Sequence, residues 1–350
     1  MNSLLHRRPL LLAASAVIGG TLLAGCGGPS SSVSTAPSVS ASASSSGPAP
    51  SGQDTASAGP SAAPSPSGVA AATGPLKQTK VGVSVTGNFG EKPALTIPGG
   101  AAPTTLSAEV LATGTGPVVA SGQSIVVNYL GQTWAPKDGK PNIFDNSYDR
   151  KQPAGFAIGT GQVIPGWDQT IVGQKVGSRL LLTLPPDKAY GTATGASDSP
   201  LGGQTLVFVV DLVGAIDANA AATGTAVTPL PAGYPTVTSE SGKKPAITAV
   251  TGATVPTGTD ANSTLLLKGD GPAIDGNKLL ALQVLQTDTA TGKQSSQTWG
   301  KALDFESGSN VIAVAKALAG QKVGSRVLII TPKTASAESL ILVVDVVAEF

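Results

Sequence analysis

From residue 80 onward the chain alternates short apolar runs with breaks marked by glycine and proline. The runs 124–130 and 205–213 are rich in β-branched residues, 179–184 is a leucine run with Thr183, and each predicts a strand. One short helix is predicted. Pro165 lies just inside its start, where the missing N–H costs little. Ile164, Trp167, Ile171 and Val172 fall on one stripe, and Gly173 stops it. The pattern predicts an antiparallel sheet, hydrophobic on one face and covered by one small helix.

The pattern then repeats. VGQKVGSRLLLTLPP (172–186) returns as AGQKVGSRVLIITPK (319–333), and TLVFVVDLV (205–213) as LILVVDVV (340–347). Upstream, GTGPVV (114–119) matches GDGPAI (269–274), and EKPALTIP (91–98) matches KKPAITAV (243–250). Order and spacing hold, except that the second copy is shorter before its last strand. Units this long form a tandem duplication rather than a solenoid. The predicted domains are 80–216 and 236–350, joined by an Ala/Thr/Gly/Pro-rich linker at 217–235.

The first 79 residues read as an address and a tether. His6, Arg7 and Arg8 form a positive start, 10–18 is an apolar run too short for a membrane span, and Leu23-Ala24-Gly25-Cys26 resembles a lipobox. Residues 1–25 are expected to be a lipoprotein signal peptide, with Cys26 lipidated. The protein is then expected outside the cytoplasmic membrane, anchored to its outer face. Residues 26–79 read as one stretch, of which 27–75 is almost entirely Ser, Ala, Gly, Pro and Thr, with Asp54 its single charge. Such a segment cannot bury enough surface to offset backbone entropy and predicts a disordered tether.

Composition narrows the chemistry. The 350 residues hold one His, at position 6, and one Cys, at position 26. Once the signal is removed, no imidazole remains, and no thiol beyond the first residue. That excludes Ser-His-Asp and Cys-His nucleophilic sites, His-ligated metals and internal disulfides. The formal charge is +1, which argues against a general nucleic-acid binder. Asp145 and Asp149 share one loop but nothing else of a two-carboxylate hydrolase. The glycine turns at 112–117 and 159–162 lack the Gly-Lys-Ser/Thr of a phosphate loop.

The segments VVNYLG, FDNSYDR, GFAIGTGQVIPGWDQTIVGQKVGSRLLLTLPPDKAYG and LVFVVDLV, taken in order, resemble the FK506-binding-protein family of peptidyl-prolyl cis-trans isomerases across about 104–214. The resemblance implies an α+β fold: a twisted antiparallel β-sheet wrapped over a short helix, here in two tandem copies after the disordered tether. It also implies an apolar cup. Trp167 would be its floor, and Tyr129, Phe144, Phe156, Val163, Ile164, Tyr190 and Phe208 its walls. Asp145 would sit at one wall, oriented by the Tyr129 hydroxyl or paired with Arg150. The Ile164 N–H and the Tyr190 hydroxyl would hold carbonyls flanking the substrate proline. No cofactor or metal is implied. The implied partners are proline-containing polypeptides and macrolide inhibitors.

Some residues depart from the family pattern. Ala154-Gly155 follows Pro153 where many relatives place an aromatic, so one wall is expected to be lower and the pocket more open. Gln162 stands where an acidic residue is common. The loop 192–203 is polar, with Leu201 its only large apolar residue, and 133–142 reads as a lengthened turn before Phe144. In the second copy Val284 replaces Tyr129 and the helix region 310–320 lacks a Trp. No Phe-Asp pair stands at the position of Phe144-Asp145, although Asp304-Phe305 lies nearby in reversed order. The second copy is therefore expected to be non-catalytic. The leading expectation is an exported, lipid-anchored prolyl isomerase. The alternative is a non-catalytic module or holdase that binds proline segments.

Overall fold

The structure, a computed structural model, describes residues 81–191, 199–307, 312–335 and 337–350. The signal segment 1–25, Cys26, the tether 26–79 and part of the polar loop (192–198) lie outside the described residues.

A hairpin of β1 (Ser84–Thr86) and β2 (Ala94–Thr96) precedes the first large sheet. That sheet contains β3 (Ser107–Ala112), β4 (Ser124–Thr133), β5 (Ile143–Asn146), β6 (Ala154–Ala157), β7 (Arg179–Leu184) and β8 (Leu206–Ile216). Its order is β3-β7-β8-β4-β5, with β6 beside the other end of β4, and every pairing is antiparallel. The helix α1 (Pro165–Ile171) lies across one face. Ile125, Val127 and Tyr129 alternate inward on β4, as do Leu180, Leu182 and Leu184 on β7 and Phe208, Val210 and Leu212 on β8. Burying each such side chain is worth about 1.5–3 kcal/mol. The helix approaches closely because Gly166 has no side chain: a Cβ there would stand 2.4 Å from Leu184 Cδ2. Gly173, with φ of 89°, takes the left-handed conformation that ends the helix.

The sheet is not apolar on one face only, as the pattern predicts; both faces are buried. On the outer face Trp134, Leu181, Val207 and Val209 pack under Val83, Val85, Leu95 and Ile97 of the hairpin. A buried ion pair fastens this layer. Arg179 Nε donates to Asp211 Oδ1 at 2.6 Å, and its remaining N–H groups reach the Gly87 carbonyl at 2.5 Å and the Glu91 carbonyl at 2.7 Å. Trp134, read from sequence as part of a long turn, is a plug between the layers.

Residues 217–235, read as a linker, are in part built into the second copy. Ala222 is buried and donates its N–H to Asp345 Oδ2 at 2.8 Å, and β9 (Thr225–Ala226) joins the second sheet. A second hairpin comes next, β10 (Thr236–Thr238) and β11 (Ala246–Ala249). After it come β12 (Asn262–Lys268), β13 (Leu279–Asp288), β14 (Gln294–Gln297), β15 (Asp304–Ser307), α2 (Ile312–Leu318), β16 (Arg326–Ile330) and β17 (Leu340–Glu349). The second sheet runs β14-β13-β17-β16-β12-β9, with β15 on β13. Its buried Arg326–Asp345 pair binds the Glu240 and Lys243 carbonyls, as Arg179–Asp211 binds its own hairpin. Gly114 and Gly269 each donate to a serine Oγ, Ser178 and Ser325, in the same close crossing. β15 pairs with 279–282 of β13 as β6 pairs with 124–127 of β4. Asp304-Phe305 is therefore the counterpart of Ala154-Gly155, not a displaced version of Phe144-Asp145.

Candidate active site

Four elements bring the aromatic residues together. Tyr129 points inward from β4, Phe156 from β6 and Phe208 from β8, and α1 lays Trp167 among them. Trp167 meets Tyr129 at 5.6 Å and 83°, Phe156 at 5.3 Å and 79°, and Phe208 at 5.4 Å and 81°. All three contacts are edge-to-face, each worth about 0.5–1.5 kcal/mol beyond area burial. Phe144 on β5 stands edge-on to Phe208 at 5.6 Å. Gly131 makes room for this pair: a Cβ there would lie 2.6 Å from Phe144 Cζ and 2.7 Å from Phe208 Cε1.

A polar rim adjoins the rings. The Tyr129 hydroxyl donates to Asp145 Oδ2 at 2.5 Å. Arg150 donates to Asp145 Oδ1 and, at 3.0 Å, to the Tyr129 hydroxyl oxygen. The sequence left Tyr129 and Arg150 as alternative partners of Asp145; the structure supplies both. The Asp145 side chain is 10% exposed and that of Arg150 44%, so the rim runs from the cup to solvent. Asp149 takes no part in it and pairs with Lys92. Tyr190 is half-buried against the aromatic cluster. Burial, with Tyr129 and Asp145 beside it, pushes its phenol pKa up, so the hydroxyl keeps its proton and remains a donor.

Val163 and Ile164 are buried at the helix entrance, with Ile164 extended at φ −61°, ψ 142°. Its carbonyl accepts the Trp167 N–H at 3.0 Å. Among the described residues no hydrogen bond uses the Ile164 N–H. Sequence reasoning passed over Asp168, which fixes the approach to this point. Its carboxylate accepts the Gly159 N–H at 2.6 Å and the Gly161 N–H at 2.7 Å, tying the loop before Val163 to the helix. Burial pushes the Asp168 pKa up, and those N–H groups oppose the shift. Its signal in the sequence was an acidic residue in the first helical turn, just after a Gly-Thr-Gly loop.

All ten residues implied to line the site gather at this end of the sheet, and the rings are buried there. Trp167 is 0% exposed, and among the described residues its Nε1 has no hydrogen-bond partner. Two neighbours bear on that burial. Leu201, the one large apolar residue of the flap, is buried in the same cluster together with Ala189. Of Ala154-Gly155, Ala154 lies on the inward side with Phe156 and packs against the cluster, whereas Gly155 faces the other way and is covered by Phe305.

A profile described as FKBP-type peptidyl-prolyl cis-trans isomerase matches residues 116–213. An FK506-binding protein of Streptomyces anulatus is 41% identical over 123 residues, covering 35% of this chain and 96% of the relative. A probable FK506-binding protein of Corynebacterium glutamicum is 38% identical over 125 residues, covering 36% of this chain and 99% of the relative. The crystal structure of FkpA from Escherichia coli superposes with a TM-score of 0.27 at 38% identity, over 33% of this chain and 49% of that one. The matched residues carry both the aromatic cluster around Trp167 and the Tyr129–Asp145–Arg150 rim, and the chain belongs to the FKBP-type peptidyl-prolyl cis-trans isomerases.

Proposed function

We propose that the first sheet isomerises X-Pro bonds of exported polypeptides, without covalent or acid–base chemistry. The X-Pro barrier, about 18–20 kcal/mol, comes from amide resonance. The twisted transition state loses that resonance, so its carbonyl is less polar than in the planar amide. A pocket with Tyr129, Phe156, Trp167 and Phe208 around it favours the twisted form relative to water. Each tenfold of rate needs about 1.4 kcal/mol of such preference. The Ile164 N–H and the Tyr190 hydroxyl hold the flanking carbonyls, and Asp145, held by Tyr129 and Arg150, faces the substrate at the rim. The observation that carries this reading is the set of three edge-to-face rings on Trp167 beside the Tyr129–Asp145–Arg150 rim.

In this reading the second sheet is a degenerate FKBP-like domain. Its helix-side core is aliphatic, with Val284 among Leu282, Leu318 and Val344. The tether and a lipid on Cys26 hold the enzyme at the outer face of the membrane, where ATP is absent and slow prolyl exchange limits refolding of secreted chains. Macrolides that mimic the bound prolyl segment occupy the same pocket. A protease-coupled prolyl-peptide assay tests the catalytic reading: wild type is active, and Asp145→Ala loses most activity while keeping its fold. Equal rates in wild type, Asp145→Ala, Trp167→Ala and Tyr190→Phe would remove it. The full burial of Trp167 favours a second reading, in which the domain binds proline segments at its rim without catalysis. Peptide binding with no rate enhancement would select that reading.

A further inference from the structure

The second sheet does more than trail the first; it covers the back of the strand that forms a pocket wall. β6 is a four-residue edge strand paired only with 124–127 of β4. Its inward residue Phe156 packs edge-on to Tyr129 at 6.2 Å and to Trp167 at 5.3 Å. Its outward neighbour is Gly155, which offers no side chain of its own. Phe305, from β15 of the second sheet, fills that space: a Cβ on Gly155 would fall 2.2 Å from the Phe305 ring carbons. Gly155 lies opposite Val126 on β4, and Val126 lies opposite Gly214 on β8. Phe350, at the end of the chain, covers Gly214 in the same way, 2.5 Å from a Cβ built there. Val126 is thus a fully buried ridge between two glycine pits, each holding one ring of the second sheet. The contact is anchored where Leu303 donates its N–H to Ser124 Oγ at 3.1 Å, and Ile216, Ala281 and Leu303 close over it.

We propose that Phe305 is a positioning residue for the isomerase pocket, holding Phe156 in place by bracing Gly155 from the opposite side of β6. The two rings differ in what they brace. Gly155 is directly beside the pocket residue Phe156 on a four-residue edge strand, whereas Gly214 lies near the far end of the eleven-residue β8, six residues from its pocket residue Phe208. A short edge strand gives way at its pocket residue when its backing is removed, whereas β8 is held at Phe208 by pairing with both β4 and β7. The glycines are required by the arrangement, since any side chain at 155 or 214 expels its ring. This gives the degenerate copy a function that needs no pocket of its own, and it rests on the isomerase pocket described above.

The test uses the full chain and compares Phe305→Ala with Phe350→Ala, two truncations in the same interface. Phe305→Ala is expected to lower kcat/KM about tenfold, since small displacements of a pocket wall act strongly on rate. The loss should appear chiefly as a higher KM, with hydrogen exchange of 154–157 accelerated and that of β7 unchanged. Phe350→Ala is expected to lower thermal stability comparably while leaving kcat/KM within about twofold. Phe305→Leu, which keeps part of the fill, should still lose about threefold in kcat/KM and serves if Phe305→Ala does not fold. Equal activity losses in Phe305→Ala and Phe350→Ala, or a folded Phe305→Ala or Phe305→Leu with wild-type kcat/KM and unchanged exchange in β6, would overturn the proposal and leave the pocket intact. An inactive wild type would remove the pocket itself, and this inference with it.

Discussion

Truncating Asp211 tests how the layers are held together. Asp211 accepts Arg179 Nε at 2.6 Å and Nη2 at 2.8 Å, the Gly90 N–H at 2.7 Å and the Tyr148 hydroxyl at 3.0 Å. The side chains of the pair are 3% and 0% exposed, so Asp211→Ala leaves a guanidinium charge out of water beside only the Gly87 and Glu91 carbonyls and the Tyr148 hydroxyl. Breaking a buried pair from one side costs about 3–5 kcal/mol. At about 2–4 °C per kcal/mol, the melting temperature should fall by about 6–20 °C. Replacing both partners, Arg179→Met with Asp211→Leu, removes the uncompensated charge and should cost clearly less than the sum of Arg179→Met and Asp211→Leu alone. The assay is thermal and urea unfolding of the four proteins in a double-mutant cycle, with prolyl isomerase activity measured below the transition. The structure predicts a coupling of about 2 kcal/mol or more and an unchanged kcat/KM, because the pair lies on the face opposite Trp167. Additivity within about 0.5 kcal/mol would refute the claim that the pair acts as one buried unit.

Three further outcomes are expected. Asp168→Asn replaces one of two acceptors with a donor facing an N–H, so kcat/KM should fall several-fold, about 0.5–1.5 kcal/mol in barrier; an unchanged rate would deny Asp168 its hold on the 159–161 loop. The raised Asp168 pKa means that the folded state binds this proton more tightly than the unfolded chain. Wild-type stability should therefore fall as pH rises from the ordinary aspartate range through the higher folded value, and Asp168→Asn should lack that segment in urea titrations across pH. Gly214→Val should expel the Phe350 ring and destabilise the contact between the sheets by about 1–3 kcal/mol, read by urea unfolding; a neutral effect would show that the Gly214–Phe350 contact contributes nothing.

The first sheet, its helix and the gathering of the site residues were legible because strand alternation, a capped helical stripe and a repeated phrase each mark local structure directly. The outer face was misread for a reason visible in β4 and β8. Val126, Val207 and Val209 are as apolar as their inward neighbours, and such continuous runs signal a strand buried on both sides. The register of Asp304-Phe305 was beyond the sequence because β15 is placed by pairing with β13, a long-range contact with no local mark. The burial of Leu201 was hidden for a related reason: a single leucine in a polar loop reads as surface until it packs on the cluster. Ala154-Gly155 reads as one small-residue gap, whereas the two face opposite sides and Gly155's lack of a side chain is what admits Phe305.

The central claim, that the ring cluster around Trp167 prefers a twisted imide to a planar one, is tested most directly by exchange NMR. The cis–trans interconversion of an unlabelled Ala-Pro peptide is monitored at equilibrium, with no protease present. The account predicts that catalytic amounts of wild type accelerate the exchange and that Trp167→Ala, folded by circular dichroism, returns it to the spontaneous rate. Exchange unaltered by the wild-type protein, or accelerated equally by Trp167→Ala, would contradict it.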